Sequence, residues 1–161
     1  MLLSPACERN KGSILAVLQQ WLPTNASVLE IGSGGGQHAS YFCQQIAGLT
    51  WQPSEQSSAL DDLQAQLAAV SGASLAPGSR LLGPIALDVR RSEQWPRQRF
   101  EAVFSANTCH IMPAAALPQL LAGAARVLQP GGLLLLYGPF HNGGVHTAPS
   151  NAAFDAQLRS R

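Results

Sequence analysis

Residues 30–36 read Glu30-Ile31-Gly32-Ser33-Gly34-Gly35-Gly36 and follow the short apolar run that begins Ala26-Ser27-Val28-Leu29. Glycines crowd the point where an extended chain must reverse. Glycine takes the positive φ that such a reversal demands and leaves the backbone bare to an approaching ligand. A helical stretch over Gln37–Ile46 follows, so the segment reads as strand, glycine turn and helix, the opening of a βαβ unit. Spacing then separates ligand classes. The dinucleotide fingerprint G-x-G-x-x-G needs a glycine at position 37, which is Gln37, whereas glycines 32, 34 and 36 give G-x-G-x-G. A nicotinamide-dependent oxidoreductase is disfavoured by Gln37 and by the acidic Glu30 ahead of the turn.

Outward from the turn, strands and helices alternate. Ser4–Leu22 opens with Ser-Pro and places Ile14, Leu15, Leu18 and Leu22 at helical spacing, so it reads as an amphipathic helix ended near Pro23. Leu49–Gln52 reads as a second strand stopped by Pro53. Ser57–Val70 reads as a helix with Leu60, Leu63, Leu67 and Val70 on one face, and Ser71–Gly83 as a loop rich in Gly, Pro and Ser. Ile85–Val89 is a weaker third strand and Phe100–Ala106 a fourth. Ala115–Leu128 is a helix, Gln129-Pro130-Gly131-Gly132 a tight turn, and Leu133–Tyr137 a fifth strand. This order favours an α/β fold with a mostly parallel sheet covered by helices on both faces.

The chain has 161 residues, a length that suits one domain over 1–161. Ten Lys and Arg against nine Asp and Glu leave a formal charge of +1, so no basic field announces a nucleic-acid partner. Cys7, Cys43 and Cys109 are far apart, with no C-x-x-C pair for zinc or redox chemistry. Polar residues from Cys7 to Lys11 leave no room for the apolar core of a signal peptide, and Leu133–Leu136 is far short of a membrane span. A reduced, cytoplasmic protein with no membrane association is the expectation.

Glu30 with the three alternate glycines gives E-x-G-x-G-x-G, which resembles the first motif of class I S-adenosylmethionine-dependent methyltransferases. The cofactor's methionine half brings an ammonium and a carboxylate to such a turn. Backbone N–H groups of Gly32, Ser33, Gly34 and Gly36, with Gln37 beside them, suit the carboxylate. Glu30 either orders the loop or meets the ammonium, directly or through water. An acid after the second strand is expected to take the ribose hydroxyls, because a carboxylate accepts two hydrogen bonds at once. Glu55 lies there, with a solvated loop acid as its plainer reading. Asp88 with Val89 stands where the adenine amino group is expected, and a cap for the helix from Ser92 is the alternative for Asp88.

Further words make the likeness more specific: Ser4-Pro5-Ala6 with Glu8-Arg9-Asn10-Lys11, Gly36-Gln37-His38, Trp51-Gln52-Pro53-Ser54, Leu87-Asp88-Val89, Asn107 with His110-Ile111, Tyr137-Gly138-Pro139, and Ser150-Asn151 with Phe154-Asp155. Together, in this order, they resemble the methyltransferase-like protein 26 family across nearly the whole chain. The resemblance implies a Rossmann-like fold that binds S-adenosylmethionine and transfers its methyl group to an acceptor that neither sequence nor resemblance names. Glu55 stands where that family usually has aspartate, one methylene shorter. Family members also continue past the position of Arg161 into a strand hairpin that covers the fifth strand, so an uncovered edge at Leu133–Tyr137, and self-association or a partner there, is expected.

Methyl transfer asks the protein for alignment and, for some acceptors, a base. Asn107 and His110 follow the fourth strand at the carboxyl edge and are the candidate acceptor contacts, His110 as base or as a plain loop histidine. Cys109 lacks a paired base and is a poor nucleophile candidate. Arg9, Asn10 and Lys11 lead a segment that the resemblance folds back over the cofactor cleft. Tyr137 is a candidate for the acceptor pocket, and Trp51 for the adenosine site or the core. His38, His110, His141 and His146 are too scattered for a zinc site, so no metal is expected, and His141 and His146 read as solvated loop residues. A catalytically inactive cofactor-binding module or complex subunit is the competing reading.

Overall fold

The computed structural model describes residues 4–70 and 74–160. Met1–Leu3, the first three residues of the expected 71–83 loop and Arg161 lie outside the described residues.

Pro5–Trp21 forms α1, started by Ser4, whose side chain accepts from the Cys7 amide while Pro5 supplies a preset φ. Its apolar stripe buries Ile14 and Leu18. Strand β1 (Ser27–Glu30), helix α2 (Gln37–Gln45) and strand β2 (Thr50–Gln52) follow as the sequence predicts. After the two-residue β3 (Ser54–Glu55), a 3-10 turn leads into α3 (Leu60–Val70). The remaining elements are β4 (Arg80–Leu81), β5 (Ile85–Ala86), β6 (Phe100–Ala106), α4 (Ala116–Val127), β7 (Leu128–Tyr137), the hairpin β8 (His141–Asn142) with β9 (Val145–His146), and α5 (Pro149–Arg159).

The central sheet has the order β4-β2-β1-β6-β7, and all its pairings are parallel. The middle of β6 (Ala102–Ser105) is buried because helices cover both faces of the sheet there. Val28, Trp51, Ala102 and Phe104 pack with α1 and α2 residues Ile14, Leu18 and Phe42. Leu29 and Val103 join Leu120 and Val127 of α4, with Trp95, in a second cluster.

Three expectations need correction. The 71–83 loop contains β4, which pairs with β2 and supplies one edge of the sheet. Ile85–Val89 is a strand only over Ile85–Ala86, and it pairs with β3 outside the central sheet. The cause is a pair of prolines. Pro53 and Pro84 lack the amides a ladder needs, so β2/β4 breaks and resumes as β3/β5. At the break Gln52 Nε2 donates to the carbonyls of Pro53, at 3.1 Å, and Gly83, at 2.7 Å. Finally, the 129–132 turn is absorbed into β7 as an irregularity, with register jumping from Phe100↔Leu128 to Ala102↔Leu133. Gly131 there has φ 77°.

β7 lies at the other edge, half-exposed along Gly132–Leu136. An apolar groove of about 220 Å³ runs beside it, lined by Val17, Leu18, Phe104, Leu135, Leu136 and Tyr137. Among the described residues no helix is long and apolar enough to cross a membrane.

Gly123 shows how closely α4 is seated. A Cβ built there would lie 2.1 Å from two ring atoms of Trp95. Alanine would gain about 1 kcal/mol of helix propensity, but a rigid buried indole cannot yield that distance, and overpacking costs about 1–3 kcal/mol. Gly123→Ala is therefore expected to lower the urea midpoint, and a raised midpoint would contradict this packing.

Candidate functional site

Strand order reverses at β1, with β2 on one side and β6 on the other, and open parallel sheets form a crevice outside the carboxyl ends of strands at such a point. A cavity of about 520 Å³ opens there. Its walls are Gly32–Gly35 after β1, Glu55 and Gln56 at β3, Leu87–Arg90 after β5, and Ala106–Thr108 with Ile111 and Met112 after β6. Ser4, Ala6 and Cys7 at the start of α1 and His38 of α2 also line it.

The glycine turn is positioned from below. Glu30 is 1% exposed, and its Oε2 accepts from Ser33 Oγ at 2.7 Å and Trp51 Nε1 at 2.9 Å. Burial pushes its carboxyl up to about 7, opposed by those two hydrogen bonds. Glu30 does not line the cavity. Its bonds run to Ser33 within the turn and to Trp51 beneath it. The main chain adds Ser33 N to Ser54 O at 2.9 Å, and Ser54 N to Ser33 Oγ at 3.1 Å.

Each glycine answers to a different neighbour. Gly32, Gly34 and Gly36 have φ of 72°, 54° and 70°. A Cβ on Gly32 would sit 2.6 Å from Thr108 Oγ1, and one on Gly36 would sit 2.4 Å from Leu67 of α3. Gly36 thus seats α3 and does not line the cavity. A Cβ on Gly34 would meet nothing within 4 Å.

The Gly34 amide donates to Glu55 Oε2 at 2.9 Å, and the Gln56 amide to Glu55 Oε1 at 2.9 Å. With one bond on each oxygen, the Glu55 carboxylate keeps an acceptor position on both. The amides of Gly32 and Gly35 have no partner among the described residues. Both belong to the cavity wall, just ahead of the N-terminus of α2. Unpaired donors at a helix N-terminus suit an anion.

Asp88 also lines the cavity, gripped by its neighbour: Oδ1 accepts from the Arg90 amide at 3.0 Å and Nε at 2.9 Å, Oδ2 from Nη2 at 2.6 Å. Those bonds pull its carboxyl down to about 2. The side chain caps the turn at Arg90, whereas the 3-10 helix from Ser92 has Arg91 at its N-cap. Val89 and Asn107 complete the sequence-named wall residues, Asn107 with φ 56° and its amide on Tyr137 O at 2.8 Å.

Gln37, His110 and Tyr137 lie elsewhere. Gln37 Oε1 accepts the Ser4 amide at 2.8 Å and its Nε2 donates to Glu8, so it ties α1 to the turn. His110 packs edge-on against Phe154 of α5, ring centroids 5.3 Å apart, and burial lowers its pKa. Tyr137 lines the groove beside β7, and Trp51 is fully buried in the core.

One wall group escaped the sequence reading. His38 is 5% exposed, lines the cavity, and stacks on Phe42 at 5.4 Å. Asn10 Oδ1, which only accepts, lies 2.8 Å from His38 Nε2, so that nitrogen carries the ring proton and Nδ1 faces Cys7 Sγ at 3.9 Å. Burial lowers the His38 pKa to about 4 and raises that of the Cys7 thiol. The trio is a neutral hydrogen-bonded wall, not a thiolate–imidazolium pair. In the sequence Asn10 stands between Arg9 and Lys11 in one polar segment. In the fold it is buried, Arg9 is exposed, and Lys11 pairs with Glu8 at 2.6 Å.

Residues 1–161 match the profile of the family described as protein of unknown function, DUF938. The chain belongs to the DUF938 family. Its fold is shared with solved structures of low identity. An O-methyltransferase family protein from Burkholderia thailandensis superposes with TM-score 0.71 at 17% identity, over 95% of this chain and 45% of that one. The mitomycin 7-O-methyltransferase MmcR gives TM-score 0.71 at 17% identity, over 95% and 41%. A SAM-dependent methyltransferase from Geobacter sulfurreducens in complex with S-adenosyl-L-homocysteine gives 0.53 at 18%, over 83% and 48%. The DUF938 chain thus spans under half the length of each, and the shared part is the Rossmann-like α/β sheet with its helices.

Proposed function

We propose that this DUF938 chain binds S-adenosylmethionine in the cavity beside Gly32–Gly35 and donates its methyl group to an acceptor whose identity is open. The likeness to the methyltransferase-like protein 26 family belongs to the same proposal. One observation carries it: two unpaired amides, Gly32 and Gly35, share a cavity wall with a carboxylate, Glu55, that keeps one acceptor position on each oxygen. A ligand with a carboxylate and a vicinal diol complements both. The fold common to the solved methyltransferases supports the reading.

In this reading Gly32 and Gly35, with the N-terminus of α2, hold the cofactor's carboxylate. Glu55 takes the ribose diol, Asp88 and Val89 face the base, and Asn107 contacts the acceptor side. The bound cofactor supplies an electrophilic methyl on a sulfonium. The chain supplies position and an apolar wall from Leu87, Ile111 and Met112. His38 adds an uncharged ring to that wall, held by Asn10 on Nε2 and by the Cys7 thiol on Nδ1. His110, turned toward Phe154, is a weak base candidate.

Glu55→Gln removes the charge and replaces one acceptor oxygen with an NH2 donor, so only one of the two exposed amides, Gly34 or Gln56, keeps an oxygen partner and the other turns to water. It is expected to weaken S-adenosylhomocysteine binding by about tenfold or more with little change in the urea midpoint. Equal affinity in the variant would remove Glu55 from the site. Release of S-adenosylhomocysteine from S-adenosylmethionine in an acceptor screen separates an enzyme from an inactive binding module.

A further inference from the structure

Gly143 and Gly144 join β8 to β9 with φ of 61° and 80°. Two successive positive φ values make the two-residue turn whose twist matches that of a hairpin, and glycine takes them without strain. That turn sets the register in which His141 faces His146 and Asn142 faces Val145. Two histidines five residues apart thereby become a cross-strand pair, with rings 4.1 Å apart and His141 Nε2 2.9 Å from His146 Nδ1. Helix α5 packs against β9 and brings Asp155, whose Oδ2 lies 3.6 Å from His146 Nε2. One ligand atom from each of the three residues lies within 4.8 Å of the other two. None of them lines the large cavity.

We propose that His141, His146 and Asp155 form a binding site for a divalent transition metal of the zinc class. Two imidazole nitrogens and one carboxylate are the donors such ions prefer, whereas Mg²⁺ and Ca²⁺ favour oxygen alone. At Zn–N distances of about 2.0–2.1 Å a tetrahedral ion spaces its ligands roughly 3.3 Å apart. His146 can ligate through only one ring nitrogen, Nδ1 facing His141 or Nε2 facing Asp155, so the side chains must turn to gather around the ion. Arg159 is the other charged group at the site, its Nε 2.8 Å from Asp155 Oδ2. That is the oxygen facing His146, but a carboxylate oxygen has two lone pairs and Oδ1 accepts as well, so the carboxylate can serve Arg159 and the metal together. Three protein ligands leave the ion open to water.

The site fastens α5 to the hairpin. Phe154, next to Asp155, packs on His110, which follows the cavity wall at Asn107 and Thr108. Metal binding is thus expected to steady the chain on that side of the cavity.

The test is competition for Zn²⁺ between the untagged full chain and a chromophoric chelator, with Mg²⁺ in excess as the control. One equivalent is expected to bind with Mg²⁺ failing to compete, and hydrogen exchange over 149–159 is expected to slow on zinc addition. His141→Ala and Asp155→Asn are each expected to weaken binding by more than about tenfold, the size that even outer-shell changes reach, with the urea midpoint of the metal-free chain unchanged. No zinc uptake by a folded chain would overturn the proposal. Uptake undiminished in the His141→Ala/His146→Ala double variant would overturn it too, by placing the ion elsewhere.

Discussion

Glu30→Gln is expected to give the protein a stability that climbs steadily from about pH 5 to about pH 6.5, where the parent chain changes little. Two buried groups oppose each other in that window. Burial raises Glu30 from 4.5 to about 7, so the folded state holds a proton that the unfolded chain has released, and stability falls as pH rises between those values. Burial lowers His38 from 6.5 to about 4, so the unfolded chain takes up a proton that the folded state refuses, and stability falls as pH drops between those values. Each slope is up to about 1.4 kcal/mol per pH unit, with opposite signs. The glutamine variant keeps acceptors for Ser33 and Trp51 and removes the first slope. Unfolding free energy from urea titrations is then expected to rise by about 2 kcal/mol across the window, His110 adding in the same sense. His38→Gln leaves the Glu30 slope and is expected to fall by a similar amount. Parallel profiles for the two variants would contradict the assignment.

Gly34→Asp is expected to abolish ligand binding while the chain stays folded. The fold survives because a Cβ there meets nothing within 4 Å and because aspartate tolerates φ near 54° better than most residues. Binding fails because the new carboxylate stands beside the Glu55 carboxylate, which already accepts the residue 34 amide, and beside the amides offered to an anionic ligand. A loss of more than about a hundredfold, or about 2.7 kcal/mol, is expected for S-adenosylhomocysteine by calorimetry. Gly32→Asp is a different experiment, since its Cβ collides with Thr108 and mixes loss of packing with loss of affinity.

What was legible beforehand follows the range of the physics. The turn at Gly32–Gly36 announces itself because steric freedom is a local demand, and Glu55 could be located because it is the first acid past the expected second strand, although it lies within β3. The five-stranded parallel sheet followed from alternating elements. Its edge strand did not: Arg80–Leu81 has no strand signature of its own and is extended because β2 lies beside it. The proline interruption at Pro53 was visible, but that Pro84 would stand opposite it was not. Glu30 was recognised as part of the turn, yet its role beneath the turn depends on Trp51, twenty-one residues away. His38 and Asn10 are joined across twenty-eight residues, so neither looked paired in the sequence. In the sequence His141 and His146 read as solvated loop residues, whereas the Gly143-Gly144 hairpin pairs them across its strands and the packing of α5 adds Asp155.

The most direct test of the account is calorimetric titration of the chain with S-adenosylmethionine, S-adenosylhomocysteine and NAD. The cavity beside Gly32 and Gly35 predicts micromolar binding of the first two and none of NAD. A folded chain that binds neither S-adenosyl compound, or that binds NAD as well as it binds them, would contradict it.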